Sequence, residues 1–271
     1  ALFLMDSFSS AAAMGKPIKG PTRLYSKVSF DYKNKDNYAF YKELGPIKNM
    51  QQKLTVPKNK FWSDLIKHPN YDSFWKARNV LPHLKNIVPA VLVVGGWFDA
   101  EDLYGPLKTY EAIETQNKTV ENSLIMGPWS HGQWIGNEGK KLGNINFDSN
   151  TQAYFRDVEL KFFNYHLKNK GEMDLPEASI FITGANEWKA FNAWPPLNIE
   201  KKELFLSCDE KLSFSKPAAT ACYNEYVVDP NKPVPYAEGI HLKRTREYLT
   251  DTQRFTSRRP DVMAFLYNHL N

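Results

Sequence analysis

The chain has only two cysteines, no run of basic residues, no apolar stretch of membrane-spanning length and no Gly-x-Ser-x-Gly segment. Each scarcity closes off something. A helix that crosses a bilayer needs about 20 consecutive apolar residues, so none is expected and no membrane partner is assigned. A nucleic-acid surface needs clustered Lys and Arg. Here the net charge is +5, with Lys interspersed among Asp and Glu, so no nucleic-acid partner is expected. Cys208 and Cys222 lie in a β-patterned stretch. They suit a disulfide across a hairpin and two buried thiols about equally, which leaves the redox compartment open. The opening Ala1-Leu2-Phe3-Leu4-Met5 is apolar, and Ala11-Ala12-Ala13 has the look of a cleavage site. It has no initiator Met and no basic leader, and Asp6 interrupts it, so it is not read as a signal peptide. A start within an apolar segment leads us to expect further sequence upstream.

What is present is the composition of a folded protein. The 271 residues are 42% apolar and 24% charged, enough for one large domain or two modest ones with an ordinary core. Aromatic residues make up 14%, with Trp and Tyr concentrated near the two motifs described next. That fits a binding pocket, and it fits a large aromatic core still more simply.

Three regions differ in texture. Residues 1–85 read as helical and irregular. Asn37 to Lys53 and Phe61 to Arg78 place apolar residues at helical spacing, punctuated by Pro57, Pro69 and Pro82. Such a region could be a cap over a site or a plain helical subdomain. Residues 86–195 alternate strand and helix: strand Val88–Val94, helix Leu103–Thr115, strand Ser123–Met126, helix Thr151–Lys168 and strand Ala178–Thr183. On the long helix Tyr154, Val158, Phe162 and Tyr165 share one face. This alternation predicts a parallel sheet flanked by helices, an α/β architecture. From Pro195-Pro196 onward, Glu203–Ser207, Lys211–Phe214, Tyr223–Val228 and Val262–Leu266 are short strand-like runs. They predict the start of a β-rich domain over residues 196–271, with too few strands to close a sandwich.

The chemistry concentrates in Gly95-Gly96-Trp97-Phe98-Asp99-Ala100-Glu101-Asp102 and Gly127-Pro128-Trp129-Ser130-His131-Gly132. Each follows a β-branched apolar run. Asp99 would sit where the carboxyl edge of the sheet meets a loop, the place where doubly wound folds bind ligands. A carboxylate there can hold an imidazole by its Nδ1–H and stabilise the imidazolium formed when the ring takes a proton. Of the six histidines, His131 alone lies in a Gly-rich loop directly after a buried strand; His68, His83, His166, His241 and His269 do not. Asp99 and His131 are therefore the candidate acid and base of a nucleophilic mechanism. Glu101 and Asp102 crowd the same loop. Acids suit a helix N-terminus, and a carboxylate cluster equally suits an ammonium ligand. No His or Cys neighbours supply metal-ligand spacing, so no metal and no cofactor are expected. Ser130 adjoins His131 too closely to serve as its nucleophile and is read as a loop residue.

These segments resemble a known family. Residues 96–105 (Gly-Trp-Phe-Asp-Ala-Glu-Asp-Leu-Tyr-Gly) and 126–132 (Met-Gly-Pro-Trp-Ser-His-Gly) are similar to the acid and base motifs of the α-amino acid ester hydrolases. That group sits with the cephalosporin acylases, cocaine esterase and the X-Pro dipeptidyl peptidases in one α/β-hydrolase superfamily. The resemblance continues through His68–Trp75, Trp188–Pro195, Asp229–Pro235, Gln253-Arg254-Phe255 and Arg259–Val262; Thr252 departs from it where Asp would precede Gln-Arg-Phe.

The resemblance implies a partial α/β-hydrolase fold. Residues 1–85 would form part of a helical cap, residues 86–195 the C-terminal half of the hydrolase domain, and residues 196–271 an incomplete β jelly roll. It implies a Ser-His-Asp triad in which Asp99 and His131 act with a serine outside this chain. It also implies acyl transfer from α-amino acid esters and β-lactam amides, with Glu101, Asp102, Trp97 and Trp129 around the substrate. The partner would be a small ester or amide; a homo-oligomer and a periplasmic or secreted location are compatible with it, and the sequence fixes neither. The competing readings are an X-Pro dipeptidyl peptidase-like hydrolase, and a truncated or carbohydrate-binding product that keeps the motifs without activity.

Overall fold

The computed structural model describes residues 33, 35–50, 60–136, 138–218, 222–241 and 246–267. The N-terminal apolar segment, Ala11-Ala12-Ala13, Gln51–Lys53 and His269 lie outside the described residues.

Short helices precede the sheet. Helix α1 (Asn37–Leu44) starts where the Asp36 side chain accepts from the Tyr38 N–H, and it ends at Gly45, whose φ of 71° suits the C-terminal turn. Helix α2 (Lys60–Lys67) and α3 (Ser73–Lys76) follow. Leu44, Met50 and Trp62 are buried together, with Phe40, Tyr41, Leu65 and Ile66 around them. At α3 the Asp72 carboxylate accepts from the Phe74 N–H at 2.9 Å and meets His68 Nδ1 at 2.7 Å. The His68 hydrogen bond holds the Asp72 carboxyl below its usual range.

The central unit runs β1 (Val91–Gly96), α4 (Tyr104–Gln116), β2 (Asn122–Gly127), a small hairpin of β3 (Lys141–Leu142) and β4 (Ile145–Asn146), α5 (Thr151–Lys168), β5 (Ala178–Ile182) and β6 (Glu187–Phe191). The sheet order is β1-β2-β5-β6. Strands β1, β2 and β5 are parallel, with Val91 opposite Asn122 and Leu124 opposite Ala178. Strand β2 is central and buried along its whole length, and its middle, Leu124-Ile125-Met126, is apolar on both faces rather than alternating. Its successive side chains still face opposite ways. Leu124 and Met126 join Val93, Ile180 and Tyr110 of α4, while Ile125 joins Trp129 and Phe155 and Val158 of α5. One helix thus covers each face, the layered α/β arrangement.

Two expectations change here. Strand β6 runs antiparallel to β5, so the sheet is mixed rather than all parallel. Only residues 183–186 separate the two strands, and so short a link can only fold back, since a parallel return needs a crossover of a dozen or more residues. On α5 the buried face is Thr151, Phe155, Val158 and Phe162; Tyr165 is 39% exposed. Phe155 takes the inward place because Thr151 anchors the first turn and the stripe advances by four, three and four residues.

Beyond the sheet, β7 (Phe205–Leu206) and β8 (Leu212–Ser213) form a short antiparallel pair, Lys211 bridges to Leu266, and α6 (Arg254–Ser257) follows. Tyr223–Val228 forms no strand among the described residues, and Tyr223, Val227 and Val228 stand exposed. Among the described residues no second apolar layer covers them, so β-branched side chains there lack packing partners. Cys208 and Cys222 are disulfide-bonded, with Cα atoms 6.0 Å apart, which resolves their pairing. No helix among the described residues is long and apolar enough to cross a membrane.

Candidate active site

The site is made where the chain leaves β1 and β2, at the carboxyl ends of two adjacent parallel strands. The two loops are stitched together by backbone. The Trp97 N–H donates to the Gly127 carbonyl at 2.9 Å, and the Phe98 N–H donates to the Trp129 carbonyl at 3.0 Å. This approach requires glycine. A Cβ on Gly96 would lie 2.2 Å from the Trp129 carbonyl oxygen, and one on Gly127 would lie 2.4 Å from the Trp129 ring. Gly96 at the end of β1 and Gly127 at the end of β2 therefore let one loop lie directly against the other.

That contact brings Asp99 to His131. Asp99 Oδ2 lies 2.9 Å from His131 Nδ1. Its other oxygen accepts from the backbone N–H groups of Glu101 at 2.8 Å and Asp102 at 3.0 Å. The carboxylate is buried, at 3% side-chain exposure, whereas the imidazole is half exposed at 51%. Burying an ionised carboxylate is costly unless it is paired and hydrogen-bonded; three donors supply that here. The ring is thereby oriented with Nδ1 inward and Nε2 toward the open side. Glu101 Oε2 lies 3.5 Å from Nε2.

The neighbouring residues divide into two groups. Asp102 Oδ1 accepts from the Gly105 N–H at 2.8 Å, so this acid caps the first turn of α4. Trp97 donates its indole N–H to the Phe181 carbonyl at 3.0 Å and packs against Trp194. Trp129 is fully buried at 0% exposure. Its indole N–H donates to Thr151 Oγ1 at 2.8 Å, and Thr151 in turn donates to the Gly139 carbonyl. Trp129 was expected beside the substrate; here it lies sealed between α5 and the sheet, at the base of the loop that carries His131.

Residues 23–133 match the X-Pro dipeptidyl-peptidase (S15) family. An aminopeptidase from the marine sediment archaeon Thaumarchaeota archaeon superposes over 96% of this chain and 43% of its own, with 33% identity and a TM-score of 0.83. An α-amino acid ester hydrolase labelled with selenomethionine superposes over 96% of this chain and 44% of its own, with 30% identity and a TM-score of 0.82. The chain is thus similar to the S15 family over residues 23–133 and to both solved relatives over nearly its whole length. It spans less than half the length of either solved relative. No curated protein matches it.

The structure brings Asp99, His131, Glu101 and Asp102 together at one sheet edge and turns Trp129 away. Ser130 is 1% exposed, and both its N–H and its hydroxyl donate to Gln133 Oε1, at 3.0 and 3.1 Å. Gln133 then donates to the Lys141 carbonyl. This glutamine, which sequence reasoning missed, closes the turn around His131; its only sequence signal is its place directly after the Gly132 that ends the motif. Among the described residues no hydroxyl group hydrogen-bonds to His131, and no group of three His, Cys, Asp or Glu side chains could hold a metal ion. Tyr110 was also missed. It lies at the other end of the sheet, donating to Glu177 Oε1 at 2.6 Å, and burial pushes its hydroxyl well above the usual phenol range.

Proposed function

We propose that Asp99 and His131 are the acid and base of a Ser-His-Asp relay acting on α-aminoacyl esters and amides. One observation carries the reading: a buried, fully hydrogen-bonded carboxylate holds His131 by Nδ1 and leaves Nε2 at the open side, beside a second carboxylate. In such a relay a serine oxygen attacks the substrate carbonyl as His131 Nε2 takes its proton. The imidazolium, stabilised by Asp99, returns that proton to the leaving alcohol or amine. Water then attacks the acyl-enzyme by the same route and restores the serine. The chain contains no Gly-x-Ser-x-Gly turn, and in this proposal the serine and the oxyanion donors come from outside these 271 residues.

Glu101 is the residue proposed to receive the substrate α-ammonium, with Asp102 holding the loop beneath it. Glu101 is 40% exposed in the free chain, so the figure for a buried pair, ~2–5 kcal/mol when one partner is removed, applies only once a bound substrate covers the contact. An enzyme with its serine in place should therefore lose at least about ten-fold in selectivity for amino over des-amino esters on Glu101→Gln. The two solved relatives, an aminopeptidase and an α-amino acid ester hydrolase, favour this substrate class, with peptide N-termini as a second reading. The residues 196–271 are proposed as the start of a β jelly roll, and residues 1–85 as cap.

The direct test is hydrolysis of phenylglycine methyl ester and phenylglycine anilide by the purified chain. No turnover above background is expected, and turnover abolished by His131→Ala would refute the external serine. Reading the coding DNA upstream for a strand followed by Gly-x-Ser-Tyr-x-Gly locates the missing nucleophile.

A further inference from the structure

We propose that Gln133 is a positioning residue for His131, and that it acts by tying the His131 loop to the β3–β4 hairpin, on which the Asp99 loop also packs. The inference rests on the reading of His131 as the base and adds what keeps acid and base at their spacing. The His131 ring is half exposed, so the backbone that carries it must set its place. Beside the ring that backbone is clamped. Ser130, 1% exposed, gives both its N–H and its hydroxyl to Gln133 Oε1, and the Gln133 N–H donates back to the Ser130 carbonyl at 3.0 Å. The amide has a second end: Gln133 Nε2 donates to the Lys141 carbonyl at 2.8 Å. One side chain thus closes the turn around His131 and fastens that turn to β3.

The hairpin is a well-held anchor. Leu142 and Phe147 are buried with Phe181 of β5, and the Phe147 N–H donates to the Lys140 carbonyl at 2.8 Å. At the tip, Asn144 Nδ2 donates to Asp251 Oδ1 at 2.8 Å. The same hairpin meets the acid's loop. The ring of Phe147 lies 6.1 Å, centroid to centroid, from that of Phe98, the residue immediately before Asp99. Acid and base loops therefore share one mount, the first by an aromatic contact and the second by an amide. A ring contact tolerates sliding, whereas a hydrogen bond weakens steeply with distance and angle, so the Gln133 tie is the stricter of the two. Its consequence is the tautomer. While the ring stays within 2.9 Å of Asp99 Oδ2, the proton belongs on Nδ1, and Nε2 is left as the acceptor that a serine hydroxyl needs. A misplacement of about 1 Å at such a site can cost 10²-fold in rate.

The experiment is long-range ¹H–¹⁵N spectroscopy of the histidine rings in the ¹⁵N-histidine-labelled chain at about pH 8.5, above the ordinary histidine range. His131 and His166 are assigned by signal loss in His131→Ala and His166→Ala. His166 packs on Phe162 near the far end of α5 and reports general loosening. Wild-type His131 should show one tautomer, protonated on Nδ1. Gln133→Met removes both ends of the tie at similar length. Gln133→Glu keeps the acceptor for Ser130 and turns an oxygen toward the Lys141 carbonyl. In both, the two His131 nitrogen signals should move toward each other as the Nε2–H form appears, with His166 unmoved. Ser130→Ala, which spares the link to Lys141, should leave His131 close to wild type. The proposal is overturned if Gln133→Met leaves the His131 signals in place, or if His166 moves along with them. It is equally overturned if Gln133→Glu matches wild type or Ser130→Ala matches Gln133→Met, since the turn alone would then place the ring. A mixture of tautomers already present in the wild-type chain would sink the relay reading itself, and this inference with it.

Discussion

Replacing Gly96 with alanine tests how the site is held together. The new Cβ would stand 2.2 Å from the Trp129 carbonyl oxygen and 2.8 Å from its carbonyl carbon. Heavy atoms in contact prefer about 3.5 Å, so the loops must part by roughly 1 Å. Neither side yields easily. Gly96 is paired opposite Gly127 in the sheet, and Trp129 is sealed in the core with its indole bonded to Thr151. Overpacking of this kind costs about 1–3 kcal/mol, and the strained Phe98–Trp129 hydrogen bond adds about 1 kcal/mol. The sum, about 2–4 kcal/mol, corresponds to a fall in Tm of roughly 5–15 °C for a chain of this size. The same displacement reaches His131 two residues later and lengthens its bond to Asp99. Gly95→Ala provides the comparison, since its Cβ would meet the Pro106 ring and the end of the Met126 side chain rather than backbone, and it should cost less. Thermal melts followed by circular dichroism decide the matter. A Gly96→Ala Tm within about 2 °C of wild type, or a larger loss for Gly95→Ala, would show that the close approach of the two loops does not hold the site together.

Three further outcomes follow from other contacts. Trp129→Phe removes the donor to Thr151 and some core volume, and should lower stability by about 1.5–3 kcal/mol in urea unfolding; an unchanged midpoint with impaired ligand binding would return Trp129 to the substrate side. Partial burial and the nearby Glu177 charge raise the Glu114 carboxyl above its usual range. The folded state therefore favours its protonated form, and stability is lost as pH rises through the raised value; Glu114→Gln should stabilise at pH 7 and gain nothing well below the ordinary carboxylate range, and a gain equal at both would refute this. The Cys208–Cys222 disulfide closes a loop of sequence separation 14, which in the chain-entropy picture is worth about 3 kcal/mol; reduction should raise amide exchange in β7 and β8 while leaving β2 protected.

Much of the centre was legible in the residues because its signals are local. A β-branched run ending in Gly95-Gly96 marks a buried strand and the point where it stops. Helix Thr151–Lys168 has the same bounds in sequence and structure, since Asn150 caps its start by accepting from the Ala153 N–H and Asn169, at φ 50°, ends it. The placement of Asp99 and His131 after neighbouring strands also followed from order along the chain, because adjacent parallel strands put their following loops side by side.

What only the tertiary structure decided was which face each side chain meets. Trp97 and Trp129 sit in similar Gly-rich motifs, yet one is half-buried beside the site and the other is sealed against α5. Asp102 and Glu101 are adjacent acids, but one caps a helix and the other reaches the imidazole. The direction of β6, the Ser130–Gln133 turn and the Cys208–Cys222 pairing were settled by partners distant in sequence or by turn geometry. Residue type and spacing determine what a side chain can do; burial and the neighbours that other segments bring determine which of those options it takes.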